Sequence, residues 1–341
     1  MTLVPGLAEP GTPAAPGFQT GAGDVAPTVG PLDPSSLSSD QLAAYNGSFQ
    51  RDEASGGIVD SYDDLLFQND VTDVLTDDGQ FVVGIKHIVD PATGEDHWIV
   101  SVPSETEWAD LDPTADTLVA DPSDTTSACS APVERADGHM FDWSAMGDSS
   151  AATDSGLAPS AQEQQHHQAA VFQAMHDAGV PDGADVLFTG TGQGGYLAAG
   201  LAASTDLPYH CVGVVTAGTP IGEISVPPDI PVVSFEHPGD PYTQVDLNGD
   251  GVVNQPTGSN YTQVILPDAG TGTFSQHGYA EAVAAYLQTD LAVAQSHPEW
   301  FGRISSHEMY TWTDSTGTSA PTTTLPVSAV GQLDRQTTVT A

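Results

Sequence analysis

From residue 81 onward the apolar positions fall into two alternating rhythms. Phe81-Val-Val-Gly-Ile-Lys-His-Ile-Val89 alternates and is β-branched, and Trp98-Ile-Val-Ser-Val102 repeats the theme after Asp-Pro-Ala-Thr-Gly, so the pattern predicts two strands joined as a hairpin. Ser160-Ala-Gln-Glu163 has the form of a capping box. Behind it Ala170, Val171, Ala174, Met175 and Ala178 share one helical face, and Gly179 closes a helix over 160–178. Pro181-Asp-Gly183 turns the chain into a strand at 186–188, followed by an Ala/Leu-rich helix over 195–203. Further strands are expected at 211–217, 231–235 and 261–266, and a last helix at 278–295, with Tyr279, Val283, Tyr286 and Leu287 on one stripe. Strands alternating with helices predict an α/β fold: a mainly parallel sheet with helices on both faces.

The remaining segments set the domain boundaries. Residues 1–55 are rich in Pro, Gly, Ala and Ser without a sustained period, which predicts a mostly disordered arm, with one or two helical turns at 39–46. Residues 56–312 form the expected single domain, and 313–341 a Thr/Ser-rich flexible tail. The stretch 109–157 holds few apolar residues, and a loop of that length is expected to be a lid, a binding loop or disorder.

Charge narrows the partners. Five Lys+Arg face 46 Asp+Glu over 341 residues, a formal charge of −41. That field repels phosphate backbones and anionic lipid, which argues against nucleic acid and against a polybasic membrane anchor. It also suggests a halophilic, salt-adapted protein, since screening relieves self-repulsion. No run is long enough for a membrane span, and no signal peptide is seen. A soluble protein is expected, cytoplasmic or exported by a non-classical route.

The chemistry concentrates at Gly190-Thr-Gly-Gln-Gly-Gly195, between an apolar strand and a helix. This resembles the G-H-S-Q-G-G nucleophile elbow of the α/β-hydrolase superfamily, lipase/esterase-like members, with Thr191 at the His position and Gly192 at the Ser position. Val232-Val-Ser-Phe-Glu-His-Pro-Gly-Asp240 and Gln276-His-Gly-Tyr279 also look like that family, so the resemblance spans roughly 80–290. It implies an α/β-hydrolase-type fold, with Gly192, Asp240 and His277 in the order nucleophile, acid, histidine. It implies an oxyanion hole from the N–H of Gln193 and of Ser104 or Glu105. Glycine has no attacking atom, so no acyl-enzyme can form at residue 192. The resemblance therefore implies an impaired carboxylic-ester hydrolase, or a binder of an ester or acyl ligand, that is, a pseudoenzyme needing no cofactor. Two alternatives stay open: an active hydrolase using Thr191 or activated water, and a non-enzymatic acidic interaction or scaffold protein.

Other motifs carry weaker signals. Asp246, Asn248 and Asp250, with Gly251, match the start of a calcium loop, but position 12 is Thr257 rather than an acid. The glycine run lacks the Gly-Lys-Ser/Thr ending of a phosphate loop. His166, His167 and His176 read as solvated helix residues. Cys211 reads as a small core residue, and a bridge to Cys129 cannot be judged from spacing.

Overall fold

A computed structural model describes residues 28–76, 80–91, 93–104, 133–134, 140–141, 161–204, 207–237, 240, 243, 256, 258–267 and 279–313. The strands are β1 (Thr28–Pro31), β2 (Ile58–Val59), β3 (Gln80–Val89), β4 (Asp96–Val102), β5 (Val133–Glu134), β6 (Met140–Phe141), β7 (Asp185–Thr191), β8 (His210–Ala217), β9 (Val232–Glu236), β10 (Tyr261–Ile265) and β11 (Gly302–Thr313). The helices are α1 (Ser39–Ala54), α2 (Tyr62–Leu75), α3 (Ala161–Asp177), α4 (Gln193–Ala203), α5 (Tyr279–Leu287) and α6 (Leu291–Ala294). Nine strands form one sheet in the order β1-β11-β3-β4-β7-β8-β9-β10, with β2 paired to β11.

The expected α/β character holds, but the sheet is mixed rather than mainly parallel. β4, β7, β8, β9 and β10 run parallel, whereas β1, β11 and β3 add on antiparallel. The β3–β4 hairpin reverses the chain direction, and β11 returns beside β3 to extend that half.

Alternation along the parallel strands feeds two cores. Val186, Phe188, Val214 and Val232 pack with α3 and α4, while Leu187, Val215, Val233 and Phe235 pack with α2 and α5. Strands covered on both faces read as continuous apolar runs, which is why this half was legible. Tyr62, Leu65 and Leu66 of α2 are buried on the second face, each contributing about 1.5–3 kcal/mol of apolar transfer.

Several expectations need correcting. Residues 28–54, read as part of a disordered arm, form β1 and α1. Helix α1 opens with a full capping box between Ser38 and Gln41, which a short apolar content had masked. The helix expected over 278–295 is broken into α5 and α6, because Asp290 caps a new helix through the N–H groups of Ala292 and Val293. His167 is buried against Phe81 rather than solvated. Cys211 is a buried free thiol, pushed up to about 12 by burial. Of the stretch 109–157, read as a lid, a binding loop or disorder, only the paired β5 and β6 are described; the rest, Cys129 included, lies outside the described residues. Among the described residues no helix is long and apolar enough to cross a membrane.

Candidate functional site

The site is built on the junction between β7 and α4. Gly192 sits between them at φ 55, ψ −120, a backbone region that strains any residue with a side chain. The turn is tight because helix and strand backbones nearly touch. A Cβ on Gly190 would stand 2.3 Å from the Gly194 carbonyl carbon, and one on Gly194 would stand 2.4 Å from Val102 O. Gly192 N–H donates to Ala217 O at 2.9 Å. Its own carbonyl accepts from Tyr196 N–H at 3.2 Å and from the Thr219 hydroxyl at 3.1 Å. The bend is thus fixed to α4 and to the end of β8.

Asp240 comes to the same edge of the sheet. A Cβ on Gly218, the residue after Ala217, would lie 2.8 Å from Asp240 Oδ2. That oxygen accepts from the Tyr279 hydroxyl at 2.6 Å, and the same hydroxyl accepts from His237 N–H at 3.3 Å. Burial first, then the charge of Asp240, pushes the Tyr279 phenol far above its usual range. It therefore stays a fixed donor to the carboxylate. Glu236, at the end of β9, is also raised, by burial above all, although Gln263 and Ser234 donate to it.

Gln193 is the first residue of α4, so its N–H lies at the helix end that faces this edge. Ser104 departs from the expected role. Its N–H donates to Asp73 Oδ1 at 2.7 Å and its hydroxyl to Thr191 O at 2.5 Å. An amide already held by a carboxylate is not aimed at a ligand oxyanion. Thr191 is fully buried, with Oγ1 lacking any partner. It lies on the face of β7 that α2 covers, and among the described residues no base bonds to it.

Glu105 and His277 lie outside the described residues, as do Asp246, Asn248 and Asp250 of the expected calcium loop. Among the described residues no group of three His, Cys, Asp or Glu is arranged to hold a metal ion.

Two acids near the elbow were missed. Asp73 is only partly exposed and its Oδ2 is sealed from solvent without a partner. Burial raises its carboxyl from 3.8 to about 7, against the pull of the Ser104 N–H. Asp70 is raised well above its ordinary value by burial, then by Asp73 and Glu281, with Arg51 opposing. Both lie on α2, whose periodicity at Tyr62, Leu65, Leu66 and Asn69, after Ser61 and with Asp63 and Asp64 in the first turn, was the available signal.

No family model, no curated protein and no solved structure matches the chain.

Proposed function

We propose that the chain is an α/β-hydrolase-type protein, lipase/esterase-like in its frame, that binds an ester or acyl ligand at the elbow without forming an acyl-enzyme. The observation that carries this reading is Gly192 at φ 55, ψ −120 between β7 and α4, hemmed in by Gly190 and Gly194. A strand–turn–helix bend of that tightness is the geometry that presents a side chain at residue 192 above the sheet. Here it presents none. Asp240, beside Gly218 and fixed by Tyr279, supports the acid assignment. His277 precedes that tyrosine by two residues in the sequence, which favours it as the imidazole partner. The burial of Thr191 weighs against it as the nucleophile. The donors read for the ligand carbonyl reduce to the N–H groups of Gln193 and Glu105.

Restoring the hydroxyl tests this. Wild type and Gly192→Ser are compared with short p-nitrophenyl esters and with a fluorophosphonate probe. The expected result is an unlabelled wild type, and a labelled variant hydrolysing at least about a hundredfold faster, since a missing triad member removes most covalent catalysis. Equal turnover in both places the chemistry elsewhere. A folded variant that neither labels nor turns over removes the hydrolase reading and leaves an acidic interaction protein.

A further inference from the structure

We propose that Asp73 and Ser104 are positioning residues for the elbow: the α2 carboxyl sets Ser104, Ser104 sets both flanks of Gly192, and the bend thereby answers to the protonation of Asp73. The functional side of this rests on reading the bend as the ligand site.

Three hydrogen bonds make the connection. Ser104 N–H donates to Asp73 Oδ1 at 2.7 Å. The Ser104 hydroxyl donates to Thr191 O at 2.5 Å and accepts from Gly194 N–H at 3.4 Å, so one hydroxyl serves as donor and acceptor together. Thr191 and Gly194 stand on either side of the Gly192–Gln193 step. Ser104 is buried just beyond the end of β4, where Val102 is the register partner of Gly190. A Cβ on Gly194 would lie 2.8 Å from the Pro103 carbonyl carbon. The strand end therefore presses on the bend as well as bonding to it. Helix α2 is itself anchored one turn earlier, where Asn69 Nδ2 donates to Thr189 Oγ1 at 3.0 Å.

The bend needs such a brace. A backbone at φ 55, ψ −120 persists only where its surroundings over-determine it. Ala217 and Thr219 hold Gly192 from the β8 side. Ser104 is the matching hold from β4.

Asp73 differs from an ordinary buried acceptor because its second oxygen is sealed without a partner. The other charged groups acting at this end of α2 are Asp70 on the same helix, Glu281 on α5 and Arg51 on α1. Arg51 is committed to Asp63 and Asp64, and Lys86 of β3 to Asp52. Among the described residues no cation bonds Asp73, so a proton is what neutralises it. A carboxylate accepts the Ser104 N–H more strongly than its protonated form does, while burial favours the proton. The two forms balance at about 7, so one proton changes the pull on Ser104 near neutral pH.

The test follows the amide signals of Ser104, Gly192 and Gly194 in the full chain, labelled with 15N-serine and 15N-glycine, from about pH 5.5 to 8.5. All three are expected to share one midpoint near 7. Asp73→Asn keeps an acceptor and loses the charge, and should abolish the titration; Asp70→Asn should leave it in place. Ser104→Ala should cut Gly192 and Gly194 off from it while the amide at 104 still follows it. Separate midpoints in the wild type overturn the brace. So does a titration that survives in folded Asp73→Asn, that vanishes in Asp70→Asn, or that still reaches Gly194 in Ser104→Ala. In Gly192→Ser, the ratio of fluorophosphonate labelling rates without and with Asp73→Asn should change at least about threefold over the same range, His277 cancelling in the ratio. A constant ratio overturns the positioning role. A Gly192→Ser variant that never labels removes the hydrolase reading instead, and the amide titration then decides the brace by itself.

Discussion

The two ends of α2 treat the same residue type in opposite ways. At its start, Asp63 and Asp64 occupy the first turn, where the helix dipole favours anions, and both reach Arg51 at 2.8–2.9 Å. Alongside, Asp52 of α1 takes Lys86 Nζ and His307 Nδ1 at 2.7 Å each. At its finish, Asp70 and Asp73 lie toward the carbonyl end, where the dipole disfavours them, and each keeps an oxygen sealed without a partner. A chain with five Lys+Arg commits two of them, Arg51 and Lys86, to the first end and leaves the second to other means. Stability explains the first arrangement. It does not explain the second, which lies beneath the elbow.

The largest expected effect comes from breaking the paired end. Lys86 is 7% exposed at its side chain and Asp52 16%. Burial alone would raise Asp52, but the bonds and charges of His307 and Lys86 more than reverse it, so its carboxyl lies below 3.8. Its stability is therefore present above pH 3.8 and is lost as pH falls through the lower native value. Asp52→Asn leaves the Lys86 charge buried and is expected to lower the unfolding free energy by about 3–5 kcal/mol in urea titrations at pH 7. Replacing both partners, Asp52→Leu with Lys86→Met, is expected to recover most of it.

Removing an acid from the other end is expected to do the reverse. With Asp73 raised from 3.8 to about 7, the native state binds the proton more tightly than the unfolded chain. The stability it contributes is full below pH 3.8 and is lost as pH rises through about 7. In choline buffer at pH 8, Asp73→Asn should therefore stabilise the fold by about 2–4 kcal/mol. It should also flatten the fall in stability between pH 5 and pH 8. A loss of stability at pH 8 in choline would mean that the Ser104 bond to Asp73 outweighs the buried charge.

The difference between the two ends also explains what the sequence disclosed. The elbow glycines are readable because Gly190 and Gly194 are demanded by backbone contact, a local constraint. The strands at 81–89, 98–102, 211–217 and 261–266 match β3, β4, β8 and β10 to within a residue or two. Buried parallel strands declare themselves by composition. β11 escaped because Arg303, Ser305, Ser306, His307 and Glu308 dilute its apolar positions, and a register shift between Ile304 and Ser306 interrupts the alternation. Helix α1 was read only in its first turns, 39–46, and α2 escaped, because polar residues cover faces that pair with distant charges. Asp52 meets Lys86 34 residues on and His307 255 residues on. No local window carries such a pairing, and none carries the bond from Ser104 N–H to Asp73, 31 residues back.

The smallest expected effect sharpens the contrast by testing specificity rather than strength. Arg51 forks to Asp63 and Asp64 and lies over the Phe67 ring at 4.4 Å, with a side chain 35% exposed. Arg51→Lys keeps the charge but loses the planar fork and the stacking, so a loss of about 1 kcal/mol is expected. A partly exposed pair is screened by any salt, so the loss should shrink equally in choline and potassium chloride as concentration rises. If the loss instead persisted undiminished at high salt, the stacking on Phe67 rather than the charge of the fork would carry it.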